Sequence, residues 1–538
     1  MDNRVTEVLL STFGNLCRLE GDTNKLALDI IENRKHFAGL SKNEADRIRK
    51  QIKDFFLTPT NVKKNTRLAI FLLSIYASFL YDGEIDDHIE EIYNEFQSFK
   101  EKNAFINNLV SIAFRYNTSL DKPLAKIYHS FVTEFKNEHS ELKLNYNVNE
   151  NRTTILLVTS QILSVNHSPT QLLLEVYDAL LELGLDPLIA QIQSLSTSHE
   201  LPFIDPFKGH YIDTPEGLQL FDFDGKEVPI YNLIASNFDD KSFRNFFQLL
   251  NKIKPGFMIN IGGYNVFQEF IASKIPSLIL TTTSMLTPSP YSEIVSVFNK
   301  LSPAQMNALE NANIDSKKYK KLVSQAAQVP SLYNDAFVDK SEFGYSADDI
   351  LLAIVSNRLS WELQNAEIEF IRKTLSLDSK IKFLIVGLCD EQLSINIKEI
   401  CGSRVEFIEN IEEIDQFLTM IDFLINTRRL GGGLAAAKAI GHGTPTFSIN
   451  YGDVTSLLPD EYLADNYDEL FDLIADHLHF DRLSLQNIAH NIFRKFPKFK
   501  DNIRMLIKAL EFTQNQAAIK ALAPISPEKT NHSGMTEL

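Results

Sequence analysis

Over residues 1–145 apolar positions recur at intervals of three and four, as at Ile48, Ile52, Phe55 and Phe56, while Pro and Gly are rare. This spacing predicts helix almost throughout. The densest apolar run, Leu68 to Leu80, has 13 residues. That is short of the ~20 needed to cross a bilayer, so it is expected to be a buried core helix. The acidic stretch from Tyr81 to Phe96 lacks the ligand spacing and central glycine of a calcium loop and is expected to be a solvated helix face.

At residue 153 the pattern changes. Thr153 to Thr159 is a short continuous apolar run, the mark of a buried strand, and a helix is predicted from about Pro169 to Leu183. Further strands are predicted at Leu188–Ile192, Phe257–Ile261 and Ser277–Thr281. The last of these ends in a Thr/Ser/Pro-rich loop. Residues from about 300 to 375, around the single Trp361, are expected to be a helical connector. A second α/β series then follows, with strands at Lys382–Val386, Val405–Ile408, Ile421–Ile425 and Thr446–Ile449. About 466–514 is expected to be helical and to pack back on the earlier lobe, and the polar tail from Pro524 to be disordered. Strands alternating with helices imply parallel sheets with crossover helices. The expected fold class is α/β, two Rossmann-like lobes preceded by an all-α domain. The expected boundaries are 1–148 (helical domain), 149–340 (first lobe), 341–377 (connector), 378–515 (second lobe with C-terminal helices) and 516–538 (tail).

With 538 residues the chain has room for roughly three domains. Its 44% hydrophobic and 23% charged content are those of a globular protein. A net charge of −17 argues against a general nucleic-acid or membrane-surface binder. The three cysteines, Cys17, Cys389 and Cys401, have no paired spacing, which argues against a disulfide framework or a zinc site. No signal peptide or membrane span is read, and a cytoplasmic location is expected.

The most informative stretch is IDFLINTRRLGGGLAAAKAIGHGTPTFSINYGDV, residues 421–454. A strand opens through Gly431, Gly432 and Gly433 into a small-residue helix. Such a turn presents backbone N–H groups and a positive helix end to a phosphate. Arg428 and Arg429 stand just before it and are expected to add charge-assisted hydrogen bonds. Asn426 and Thr427 end the strand, at the edge where ligands of open parallel sheets bind. Asp453 is a candidate acceptor for sugar or ribose hydroxyls. His442, between two glycines, is expected to cap the helix end, and His210 has no readable context. Asp222 and Asp224 form an Asp-x-Asp string that reads as a β-turn rather than a metal site. In the first lobe His167, with a pKa near neutrality, is the candidate general base. Asn166, Gly262, Gly263 and Asn265 are candidates for the acceptor side.

Residues 426–454 resemble the nucleotide-sugar-binding segment of two-lobed (GT-B) bacterial glycosyltransferases. The likeness rests on Gly431, Gly432, Gly433, Ala436, Ala437, Ala439, Gly441, Gly443, Pro445, Tyr451, Gly452, Asp453 and Val454. Ser160 to Thr170, the loop after the first strand, resembles that class too, and the helical region ahead of two lobes is similar in layout to cytoplasmic protein N-glycosyltransferases. The resemblance implies a metal-independent sugar transfer from a nucleotide-diphosphate donor, a uridine one by preference, to a protein or glycan acceptor, with no cofactor. One departure stands out: the family's glutamate that bonds the ribose is replaced by Lys438, which cannot accept a hydroxyl proton. Lys438 is therefore expected either to reach the diphosphate or to weaken nucleotide binding. Two rival readings follow: a catalytically silent GT-B partner subunit of an active glycosyltransferase, and a nucleotide-sugar epimerase.

Overall fold

The computed structural model describes residues 3–148, 153–164, 167–195, 201–209, 214–223, 225–321, 338–411, 413–495 and 499–522. Eight α-helices, α1 to α8, come first: Asn3–Cys17, Thr23–Glu32, Lys42–Phe56, Pro59–Lys64, Thr66–Ile75, Asp86–Glu95, Phe99–Tyr116 and Asp121–Glu138. Their ends follow local chemistry. Ser41 and Glu44 form a capping box at α3, and Asn117 closes α7 in the left-handed conformation. The run Leu68–Leu80 is buried as expected in α5 and the short π-turn after it, Tyr76–Leu80. The acidic stretch forms α6, with Ile89, Ile92 and Tyr93 on its buried side.

The first lobe contains β1 (Thr154–Thr159), α9 (Ser168–Glu182), β2 (Asp186–Gln193), β3 (Gly217–Phe223), β4 (Lys226–Ile234), α10 (Asp240–Ile253), β5 (Phe257–Ile261), α11 (Val266–Ala272), β6 (Ser277–Leu280), β7 (Ile294–Ser296), α12 (Pro303–Asn311) and β8 (Tyr319–Lys320). Its sheet runs β3-β4-β2-β1-β5-β6-β7-β8, parallel except for the β3–β4 hairpin. Both faces are covered, which is why β1 reads as a continuous apolar run rather than an alternating one. Ile155 and Leu157 pack with α9, whereas Leu156 and Val158 join the core of the helical domain. Phe135 of α8 shows how tight that joint is: its ring packs against Phe243, Phe267 and Phe270 at centroid distances of 5.5, 5.0 and 5.7 Å. The helical domain and the first lobe thus share one core.

The second lobe contains β9 (Ile350–Val355), α13 (Leu359–Glu362), α14 (Asn365–Thr374), β10 (Ile381–Val386), α15 (Glu391–Cys401), β11 (Val405–Ile408), α16 (Ile414–Met420), β12 (Phe423–Asn426), α17 (Gly433–Gly441), β13 (Thr446–Ile449), β14 (Leu463–Ala464), α18 (Tyr467–His477), α19 (Arg482–Phe493) and α20 (Phe499–Leu522). Its sheet runs β11-β10-β9-β12-β13-β14, all parallel. Here one expectation fails. The segment 341–377, read as a helical connector, holds β9, an inner strand of the second sheet. Ile350 to Val355 is a short apolar run without periodicity, and such a run suits a buried strand as well as a buried helix. The C-terminal helices behave as expected: Ile503, Leu506 and Leu510 of α20 return to the first lobe and pack with α9. The fold is two Rossmann-like lobes behind a helical domain.

In each sheet the chain reverses direction beside its first strand, between β1 and β5 in one lobe and between β9 and β12 in the other. The carboxyl ends of strands at such a reversal form a crevice where ligands bind in open α/β sheets.

Candidate functional site

The crevice of the second lobe is built around Gly432. This residue is the N-cap of α17 with φ 99° and ψ −5°, and no side chain caps the helix start. The first-turn N–H groups of Gly433, Leu434 and Ala435 therefore have no acceptor within the helix and point at whatever approaches it. A Cβ at position 432 would lie 2.4 Å from Asn426 Oδ1 and 2.7 Å from Arg429 Nη2. The missing side chain is what lets a guanidinium come against the turn.

Arg429 is only 2% exposed, a rare state for an arginine. Its Nε donates to Asn426 Oδ1 at 2.6 Å, and Nη1 donates to the Val355 carbonyl at 2.8 Å and to Glu362 Oε2 at 3.2 Å. Nη2 is buried with no hydrogen-bond partner among the described residues. A second guanidinium, Arg358, sits at the end of β9. Its Nη2 pairs with Glu362 Oε1 at 2.9 Å and would meet a Cβ at Gly431 at 2.6 Å. Burial pushes the Glu362 carboxyl up, but Arg429 and Arg358 outweigh it and hold it below its ordinary value. Two cations share one carboxylate, with Asp453 the further acidic group acting on Arg358, and an unpartnered donor and a free helix start lie in the same place, an arrangement suited to an anion.

The other expected residues divide. Asn426 faces Arg429 and, through Nδ2, Ser448 Oγ at 3.0 Å, so it supports the guanidinium. Thr427 is buried, and its hydroxyl has no hydrogen-bond partner among the described residues. Arg428 is exposed, its guanidinium 4.3 Å from the centroid of the Tyr451 ring. Lys438 is paired with Asp415 of α16 at 3.3 Å rather than brought to the glycine turn. His442 caps α17 as expected, and its ring lies 3.2 Å from the same Asp415. His442, then Lys438, hold the Asp415 carboxyl below its ordinary value against burial.

Asp453 ties the lobes together: its Oδ1 accepts the Ser284 N–H at 2.7 Å, while Ser284 Oγ donates to the Leu430 carbonyl at 3.2 Å. Asn299 adds bonds to the Gly452 carbonyl at 3.1 Å and to Thr455 Oγ1 at 2.8 Å. The first-lobe loop making these contacts is pinned from behind. Tyr264 donates to the Leu286 carbonyl, Tyr319 to the Thr287 carbonyl, and buried Glu269 accepts from Ser289 Oγ and Tyr291 N.

On the first-lobe side, Asn265 is 1% exposed and all four hydrogen bonds of its amide are committed. Oδ1 caps α11 through Phe267 and Gln268, and Nδ2 donates to Ser160 Oγ and to the Ile192 carbonyl. It braces the crevice and offers nothing to a ligand, a correction to the expectation for that residue. Gly263 is a close-packing position, since a Cβ there would lie 2.2 Å from Thr287 Cγ2, and Gly262 has φ 110°. His167 is the N-cap residue of α9, with Nδ1 3.0 Å from Thr170 Oγ1. Burial lowers its pKa to about 4, a correction to the near-neutral value expected of a general base, so the ring is neutral at pH 7 and a weak base. In the Nδ1–H tautomer the lone pair is on Nε2. Asn166, His210 and Asp224 lie outside the described residues. Asp222 accepts the Gly225 N–H at 2.7 Å, which makes it a hairpin-turn residue. Among the described residues no group of three or more His, Cys, Asp or Glu is placed to hold a metal ion, and no helix is long and apolar enough to cross a membrane.

Sequence reasoning missed Arg358 and Glu362, and with them half of the charge at the site. It also missed Glu175 of α9, whose carboxyl burial raises to about 8, with Lys438 pulling it back. Its Oε2 has no hydrogen-bond partner among the described residues. A carboxyl whose folded pKa lies above its unfolded value keeps its proton in the folded state while the unfolded chain has lost it. The Glu175 contribution to stability therefore falls as pH rises from about 4.5 to about 8 and is level outside that window. Glu175→Gln is expected to flatten this slope, measured by urea melts across the window; an unchanged slope would mean that Glu175 does not carry it.

The sequence matches no family model and no curated protein. Among solved structures, an O-GlcNAc transferase mutant of Thermobaculum terrenum aligns over 97% of this chain and 99% of its own, with a TM-score of 0.54 and 10% identity. The catalytic domain of starch synthase IV from Arabidopsis thaliana, bound to ADP and acarbose, aligns over 68% and 100%, at TM-score 0.45 and 11% identity. A mutant of TarM from S. aureus, in complex with fondaparinux, alpha-GlcNAc-glycerol and UDP, aligns over 66% and 99%, at TM-score 0.45 and 10% identity. The first likeness shows the GT-B fold with its helical N-terminal part; the other two are too distant to add to it.

Proposed function

We propose that this chain is a glycosyltransferase that moves a sugar from a nucleotide-diphosphate donor to a protein or glycan acceptor. The observation that carries the reading is the uncapped start of α17 flanked by the buried Arg429 and Arg358. The donor diphosphate would lie against the N–H groups of Gly433 to Ala435 with Arg429 Nη2 as a further donor. Fixed dipoles and cations aimed at the leaving diphosphate stabilise its developing charge, the role a metal plays elsewhere. The acceptor would enter from the first lobe and the helical domain. His167 would at most accept a hydrogen bond from an acceptor hydroxyl, since a ring whose pKa burial lowers to about 4 is a weak base at pH 7. The solved T. terrenum protein, named as an O-GlcNAc transferase, is compatible with this reading through its fold. A uridine donor and a location in the cytoplasm belong to the same proposal.

A silent partner subunit is the second reading, and Lys438 favours it: the side chain where a ribose acceptor is expected is a cation engaged with Asp415. The two separate in one experiment. Purified chain is mixed with a panel of nucleotide sugars while free nucleotide is followed. Slow release of nucleotide from one donor, by hydrolysis, supports the transferase. Donor binding without release over hours, or binding of none, removes the transferase and supports the silent subunit.

A further inference from the structure

Arg358 is held from two sides, and one of them comes from outside the lobes. Glu362 takes an edge of the guanidinium, at 2.9 Å. The face is covered by Phe114, whose ring centroid lies 4.1 Å from the guanidinium carbon. Phe114 belongs to the last turn of α7 in the helical domain. The residues after it reach the same region. Arg115 lies over the Trp361 ring at 5.1 Å, and Asn117 Nδ2 donates to the Arg428 carbonyl at 3.4 Å. The end of α7 therefore touches both chain segments that bring a buried guanidinium to the glycine turn.

We propose that Phe114 is a positioning residue for Arg358, and that through it the helical domain sets the affinity of the second lobe for a diphosphate. The proposal rests on the reading of this crevice as a diphosphate site. The Arg358 side chain is 17% exposed, and its Nε has no hydrogen-bond partner among the described residues. Among the described residues its one ion-pair partner, Glu362, is shared with Arg429. One shared carboxylate fixes one edge of a planar group and leaves it free to tilt. A ring on the face removes that freedom and is attracted to the cation, more strongly in a desolvated place than at a surface. The opposite side of α7 is buried, with Phe105, Ala104 and Leu109 in the core shared with the first lobe. A displacement of α7 on engagement of the helical domain by an acceptor would thus move the ring, the guanidinium and the anion site together.

The test is calorimetric titration of the full chain with inorganic pyrophosphate and with UDP. Phe114→Leu keeps apolar volume and removes the ring; Phe114→Tyr keeps the ring. Affinity is expected to fall roughly 3- to 10-fold in Phe114→Leu and to stay within about twofold in Phe114→Tyr. In an Arg358→Gln background Phe114→Leu is expected to add no further loss, which a general disturbance of the fold would not reproduce. Phe114→Met replaces Phe114→Leu if the latter lowers the melting temperature. Wild-type binding with no change in the ring-less variant would overturn the proposal, as would a loss that persists without Arg358. A wild-type chain that binds neither probe would overturn the diphosphate reading itself.

Discussion

Arg429→Met is expected to abolish nucleotide-diphosphate binding and to lower stability by about 3–5 kcal/mol, the usual cost of breaking a buried ion pair from one side. The size follows from what is left behind. The Glu362 side chain is 4% exposed and is shared by Arg429 and Arg358. Without Arg429 its Oε2 loses its cation, the Val355 carbonyl loses a donor, and Asn426 Oδ1 loses another. A second substitution separates the two effects. Glu362→Gln in the Arg429→Met background would leave the buried Arg358 without its carboxylate, so thermal melts should show a further loss of stability, whereas Glu362→Gln should add nothing to the loss of binding already caused by the missing guanidinium. Binding that survives in Arg429→Met would mean that Arg429 only holds the fold together.

The second large effect is expected at Gly432. An alanine there must adopt φ 99°, a conformation costing roughly 1–2 kcal/mol for a residue with a side chain. It would also place its Cβ 2.4 Å from Asn426 Oδ1 and 2.7 Å from Arg429 Nη2. Neither neighbour can yield cheaply, since both are buried and hydrogen-bonded to each other. The start of α17 and the guanidinium must move apart, and diphosphate affinity should fall by roughly two orders of magnitude, on the scale of one lost charged hydrogen bond plus a displaced helix start. Gly431→Ala is the contrasting case. Its Cβ meets the far end of Arg358 at 2.6 Å, a long side chain that can withdraw, so the loss should be roughly tenfold or less. Equal losses at the two positions, measured by calorimetry, would show that bulk in the turn matters and the placement of Arg429 does not.

The legible part of this molecule was the part written in local pattern. Period-three and period-four spacing marked the helical domain, and short apolar runs marked β1, β5, β10, β11 and β13. The turn at Gly431–Gly433 and the helix after it were readable because a strand, three glycines and a run of small residues follow one another directly. What was not legible depends on pairing across distance. Arg429 and Glu362 are 67 residues apart, and nothing near either announces the other. A signal for Arg358 did exist, since it closely follows an apolar run whose carboxyl end would be a ligand edge. Reading Ile350–Val355 as part of a helical connector hides it. Lys438 was placed on the right helix, but its partner Asp415 lies on the helix before, so its direction could not be read. Asn265 was suspected because it follows a strand and two glycines; the same position makes it a helix cap, and the cap consumes its whole amide.

In the proposed site the start of α17 and the buried Arg429 together hold a diphosphate. The most direct measurement is a crystal structure of the full chain with the nucleoside diphosphate that binds it best. Phosphate oxygens are expected within hydrogen-bonding distance of the N–H groups of Gly433, Leu434 or Ala435 and of Arg429 Nη2. Phosphates bound elsewhere, with this turn untouched, would contradict it.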